Sequence, residues 1–285
     1  MPSLALAAAA ILVALAPPTT SETPDAPTST EPAPPPATPA AEPALERARG
    51  AADLRPSLQT WQLGPREQGG RGTCSVFAVT EALEFALARH APPTDGPATR
   101  LSVEFLNGAS NDAIGHAADG GFFGDLWKGF EKHGICAESD CPYRDRFDAA
   151  PPPPEAVAAA ARIRDLGWSI HWIKTWDVTT GLSDGEVDGI LRTLDEGTPV
   201  CAGMRWPKAC RWEGARLGWA EPDQVFDGHS VLLVGYRPAD AAAPAEGRTF
   251  LVRNSSAALP ELEIPERYLR AYVNDAVWFA CADGR

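Results

Sequence analysis

Apolar residues recur along this chain first at helical and later at strand spacing, and the change of period organises it. From Cys74, the residues Val76, Val79, Leu83, Ala86 and Leu87 fall on one helical face, with Thr80, Glu81, Glu84 and Arg89 between them. This predicts a helix that begins at the cysteine, with Thr73 as its N-cap and Gly69, Gly70 and Gly72 permitting a sharp entry. Residues 102 to 107 read as a short capped helix, and Phe123, Leu126, Trp127 and Phe130 form a helical stripe that Gly134 stops. A loop ending in four prolines precedes an alanine-rich helix expected near residues 155 to 166.

Beyond that point the pattern shortens. Trp168, Ile170, Trp172 and Trp176 alternate as in a strand, which puts His171 on the opposite face. Ser183 and Glu186 form a capping box for a helix carrying Val187, Ile190, Leu191 and Leu194, and residues 198 to 204 return as a strand. Two more apolar runs follow, one from Val231 to Val234 behind His229 and one over residues 249 to 253 that ends at Asn254. Helices early and strands late predict an α+β domain over residues 51 to 285. Its helical lobe covers about 56–165, and a largely antiparallel sheet lobe covers about 166–285.

The candidate chemistry starts at Cys74. A thiol at the first turn of a helix has its thiolate favoured by unpaired N–H groups, and the glycine-rich turn lets the backbone approach a substrate. Gln68, six residues earlier, reaches back over the sulfur in this reading. Its amide N–H and the Cys74 backbone N–H then form a donor pair for a developing oxyanion. A lone cysteine on such a helix is more often a small buried hydrophobe, so a base must be found. Of five histidines, His90, His116, His133 and His171 have ordinary structural placements, whereas His229 stands at the mouth of a buried strand. Asn254, at the end of another strand, can hold one imidazole nitrogen and turn the other toward the sulfur.

The order Gln, Cys, His, Asn, within QGGRGTCSVFA, LSVEF, DGHSVLLVGY and FLVRNSS, resembles the papain-like cysteine peptidases over residues 56 to 280. That resemblance implies a two-lobed fold, a helical lobe beside an antiparallel sheet or barrel, with the active site in the cleft between them. It implies a cysteine endopeptidase working through a thioester acyl-enzyme. Cys74 would be the nucleophile, His229 the base and later acid, Asn254 the orienter and Gln68 the oxyanion donor. His229 imidazolium and the helix terminus would lower the Cys74 pKa. Gly120 and Gly121 would be the shelf along which a substrate backbone pairs.

The departures from the family pattern lie near the chemistry. Arg71 replaces the usual cysteine that tethers the loop, Ser75 replaces a common tryptophan, and Ser256 and Ala257 stand where a shielding tryptophan and a glycine are usual. Trp206, Trp212 and Trp219 are the candidates to replace that shield. The same departures keep two alternatives open. One is a catalytically weak or inactive peptide-binding protein, and the other a thiol amidase or deamidase with a non-protein or cell-wall substrate.

The remaining features bear on compartment and partners. Residues 4 to 16 form an apolar run of signal-peptide length, so residues 1 to 16 read as a signal peptide or N-terminal anchor and the protein as secreted or lodged in the cell envelope. Residues 17 to 50, rich in Pro, Ala and Thr, read as a solvated disordered linker, too short for an inhibitory prodomain. A formal charge of −13 opposes nucleic-acid binding. The expected partner is a peptide or protein substrate, met as a monomer, with no membrane partner beyond the anchor. The simplest disulfides would join Cys136 to Cys141 and Cys201 to Cys210, leaving Cys281 free. With no C-x-x-C and no histidine at matching spacing, a zinc site is not expected, nor any other cofactor.

Overall fold

In the computed structural model, which describes residues 50–282, a long helix starting at the cysteine lies against a mixed-length sheet. The expected leader over residues 1 to 16, and all but the last residue of the expected linker, lie outside the described residues. In chain order the first elements are β1 (Ala52–Asp53), α1 (Arg55–Thr60), α2 (Cys74–His90), α3 (Val103–Ile114), α4 (Phe123–His133) and α5 (Pro154–Arg164). Next come β2 (Trp168–Lys174), α6 (Asp184–Asp195), β3 (Val200–Pro207), β4 (Trp212–Glu213), β5 (Arg216–Leu217) and β6 (Val225–Arg237). The chain closes with β7 (Thr249–Arg253), β8 (Glu261–Pro265), α7 (Glu266–Tyr272) and β9 (Val273–Cys281). The protein is thus α+β, with a helical part first and a sheet part after it.

The nine strands order as β2-β9-β3-β6-β7-β8-β5-β4, with β1 added against β6. The pairings are antiparallel except β5 with β8. Helix α2 lies against β3, β6 and β9. It is buried on nearly every side, so the polar positions between its apolar residues do not face water: Thr80, Glu81 and Glu84 are all buried. Buried carboxylates need partners. Arg66 and Arg100 both reach Glu84 at 3.1 Å, and Arg253 approaches Glu81 at 4.0 Å.

Local signals account for most helix ends. Ser102 accepts a hydrogen bond from the Phe105 N–H and starts α3, which runs on to Ile114 rather than ending near 107. Gly134 ends α4, and Ser183 with Glu186 forms the complete capping box of α6. Thr73 behaves differently from the expectation. Its carbonyl accepts from the Phe77 N–H, but its side chain makes no cap. Strand β2 also stops earlier, at Lys174, after a bulge between Trp172 and Lys174, and His171 stacks on Trp278 with centroids 3.9 Å apart.

The cysteine pairing expected from sequence is not what forms: Cys136, Cys141, Cys201 and Cys210 are in no disulfide. Cys201 points into the core, its thiol 3.2 Å from the Ala78 carbonyl, whereas Cys210 turns toward the Pro207 carbonyl in a surface loop. Cys136 and Cys141 sit with Phe105, Ala109, Ala156 and Ala160 in a small second core, where each fills space as an apolar side chain.

Candidate active site

Cys74 opens α2 at the floor of a recess of about 360 Å³ that also takes in Gly120, Gly121, His229 and Ser230. It is 9% exposed, and its Sγ lies 3.7 Å from the Gly228 carbonyl. His229 is not at the mouth of β6 but inside it, at a bulge. Met204 pairs with His229 and Arg205 with Asp227, so Gly228 is the extra residue, at φ +115°. A bulge turns the side chain that follows it, and only glycine takes that φ without strain.

Strands β6 and β7 are neighbours, Leu232 opposite Arg253, and Asn254 follows directly on β7. The His229 Nε2 and Asn254 Oδ1 are 2.9 Å apart, which leaves Nδ1 free of this bond. Asn254 is itself held, its amide donating to the Leu259 carbonyl at 3.2 Å. Trp206, from β3, lies tilted against the imidazole with ring centroids 4.5 Å apart, and Trp212 stands 6.5 Å beyond it. Both indoles line a second recess, of about 400 Å³, that also contains His229, Asn254 and Ser256. The aromatic neighbour missing at Ser256 therefore comes from another strand. Trp219 is not part of it and stacks on Tyr272 instead.

The loop before Cys74 is held by charge. Arg71, 3% exposed at its side chain, donates to Glu104 at 2.5 Å, to Asp119 at 2.6 Å and to the Arg144 carbonyl, and its guanidinium covers the Tyr143 ring at 4.6 Å. Tyr143 in turn donates to the Gln68 carbonyl, so the 2.7 Å contact between its oxygen and the Thr73 hydroxyl has threonine as donor. The Thr73 backbone, at ψ 16° rather than the extended value of a capping residue, turns the hydroxyl toward Tyr143 and away from the first turn of α2.

Gln68 is fixed at both ends of its amide. Nε2 donates to the Arg71 carbonyl at 2.6 Å, and Oε1 accepts from the Ser255 hydroxyl at 2.6 Å. One amide hydrogen remains uncommitted by these bonds. Gln68 lines the second recess rather than the first, on the Trp206 side of His229. On the other side, the Gly120 N–H donates to Asn107 and the Gly121 N–H to the Ser75 hydroxyl, so the glycine pair is tied to α3 and to the residue after the nucleophile.

The protonation states differ from the sequence expectation. Burial pushes the Cys74 thiol up, and hydrogen bonds from the Ser230, Ser75 and Cys74 backbone and the Ser230 side chain recover only part of that. Burial also holds His229 below its ordinary value, partly offset by Asn254. Desolvation favours the neutral form of each group. Both shifts favour a thiol with a neutral imidazole over a preformed ion pair.

Sequence reasoning missed Ser230, Ser255, Tyr143 and Asp275. Asp275 lines the same recess as Cys74 from the last strand. Ser230 and Ser255 had a signal, their places beside His229 and Asn254, whereas Tyr143 and Asp275 lie in no local motif that announces chemistry.

The fold these residues occupy is that of the papain-like cysteine proteases, a helical lobe and an antiparallel sheet lobe with a cleft between. Among solved structures it is similar to xylellain, a cysteine protease from Xylella fastidiosa, at TM-score 0.62 and 21% identity over 82% of this chain and 86% of that one. It is also similar to digestive procathepsin L 3 of the Tenebrio molitor larval midgut, at TM-score 0.55 and 17% identity over 82% of this chain and 71% of that one. A third similar structure is the proform of the Amb a 11 cysteine protease, a ragweed pollen allergen, at TM-score 0.56 and 19% identity over 83% and 66%. No protein-family model and no curated protein sequence matches the chain.

Proposed function

We propose that the protein is a cysteine endopeptidase. The observation that carries this reading is the 2.9 Å His229–Asn254 bond on the wall of the recess that holds Cys74. Recesses on both sides of His229 leave room for a chain running past the nucleophile in both directions, as cleavage within a peptide requires.

The chemistry follows from the protonation states. As the sulfur attacks a peptide carbonyl, its proton passes to His229 Nδ1, and Asn254 keeps the ring in that orientation. The carbonyl oxygen, now negative, accepts from the Cys74 backbone N–H and the remaining Gln68 amide hydrogen. His229 then gives its proton to the leaving amine, the C–N bond breaks, and water hydrolyses the thioester. The raised thiol pKa favours a second reading, a protein that binds peptides and turns them over slowly.

Turnover of an internally quenched peptide library separates the two. Wild type should cleave, and Cys74→Ala should retain its fold by circular dichroism while losing all turnover. Cleavage that survives in Cys74→Ala would remove Cys74 from the mechanism, and binding of library peptides without turnover in wild type would establish the second reading.

A further inference from the structure

The recess beside Cys74 contains a carboxyl group that the proposed chemistry does not use. Asp275 on β9 is 4% exposed. Its position follows from a second bulge: Gly203 pairs with Asp275 and Met204 with Val273, so Asn274 is the extra residue and the strand is re-aimed at the cleft. The carboxylate sits directly over Gly203, where a Cβ would come within 2.1 Å of Oδ1. It takes a hydrogen bond from the Gly203 backbone N–H, which would hold equally well with a side-chain amide oxygen in its place.

Among the described residues Asp275 makes no ion pair. Lys174 is close enough to act on it electrostatically, but its ammonium group is committed to the Thr180 hydroxyl at 3.0 Å and the Gly181 carbonyl at 3.4 Å. Burial pushes the Asp275 pKa up to about 6, so at neutral pH the group carries its charge. A buried carboxylate with one hydrogen bond and no cation in direct contact is expensive to keep unless something closer supplies the countercharge.

The mouth of the recess has the complementary chemistry. Phe122 and Trp176 stand at its rim, 56% and 49% exposed, with ring centroids 5.5 Å apart in an edge-to-face pair. Phe122 comes from the helical lobe and Trp176 from the sheet lobe. The Asp177 N–H donates to the Asn274 carbonyl at 2.9 Å, which fastens the Trp176 loop to the strand that carries Asp275. Aromatic walls accept an aliphatic stem and attract a cation, and the carboxylate at depth pairs with the head of such a side chain. An overall charge of −13 draws cationic segments toward the protein.

We propose that the recess beside Cys74 binds a lysine or arginine side chain of the substrate, with Asp275 as its countercharge and Phe122 and Trp176 flanking its stem. This inference rests on the endopeptidase reading and names the substrate class of that site.

The test uses peptides that differ at a single residue, lysine, norleucine or glutamate, scanned across the positions flanking the cleaved bond. With wild type, lysine should exceed norleucine in kcat/KM by about tenfold at one position, as expected for a buried charged hydrogen bond, and glutamate should be worst there. Asp275→Asn keeps an acceptor for Gly203 and should erase the lysine-over-norleucine ratio at that position. Equal rates for lysine and norleucine at every position would overturn the inference while leaving the peptidase reading intact, as would a lysine preference that persists in Asp275→Asn. If no peptide is cleaved, the same peptides are titrated into Cys74→Ala by fluorescence anisotropy. Tighter binding of the lysine peptide then supports the recess independently of turnover, and equal affinities overturn it.

Discussion

The two halves of the site are held by different physics. The nucleophile side is a loop clamped by side-chain charge: Arg71 between Glu104 and Asp119, over Tyr143. The base side is held by backbone: β6 is paired on both edges, by β3 and β7, and a bulge at Gly228 aims His229. A ladder of backbone bonds distributes its support over many residues, whereas a charge clamp concentrates support in one guanidinium. The loop that lacks a disulfide is therefore the part that a single substitution should damage most.

That difference predicts a ranking. Arg71→Met should destabilise the protein by about 3–5 kcal/mol, because it leaves two largely buried carboxylates without their cation. Chemical denaturation measures it, and a loss below about 1 kcal/mol would mean the clamp carries little of the loop's stability.

The seam behind the site gives a smaller, pH-dependent effect. Glu81 on α2 faces Arg253, the residue before Asn254, so one charged contact joins the two halves. Burial is the main cause that pushes Glu81 up to about 7; Arg253 opposes it and Glu84 adds to it. The folded state then holds this proton more tightly than the unfolded chain, whose ordinary value is 4.5. Its contribution to stability is complete below pH 4.5 and is lost as pH rises through 7. Relative to Glu81→Gln, wild type should lose on the order of 2 kcal/mol between pH 5 and pH 8. Parallel stability-versus-pH curves for the two proteins would show that Glu81 ionises in the fold as it does in the unfolded chain, so that burial does not hold its proton.

The smallest effect belongs to the base side. Asn254→Ala should leave the β6–β7 ladder in place and lower kcat by about tenfold through lost orientation of His229. The sign of the pH effect is also set. His229 lies below its ordinary value and Asn254 acts to raise it, so the acid limb of kcat/KM should fall below pH 6.5 in wild type and lower still in the variant. A limb that moves upward in Asn254→Ala would contradict the bond's assigned role.

Much of the fold was legible because its signals are local. The Ser183–Glu186 box, the Gly134 stop, the Ser102 cap and the apolar run into Asn254 each depend on a few adjacent residues, and each appears in place. Thr73 misled for an equally physical reason: a hydroxyl that could cap its own helix found Tyr143, 70 residues away. The burial of the polar positions on α2 was not legible, since spacing alone cannot tell a solvated glutamate from one buried against arginines far along the chain.

What the sequence determined by itself was the order of chemical groups and the period of each element, because propensity, capping and side-chain spacing act within a few residues. The tertiary structure decided where those groups meet. Strand register and two bulges aimed His229 and Asp275 at one recess, Trp206 came to the imidazole from a separate strand, and Arg71 found two carboxylates. Burial then set the protonation of Cys74 and His229 against the expectation from local sequence, since desolvation depends on everything packed around a group.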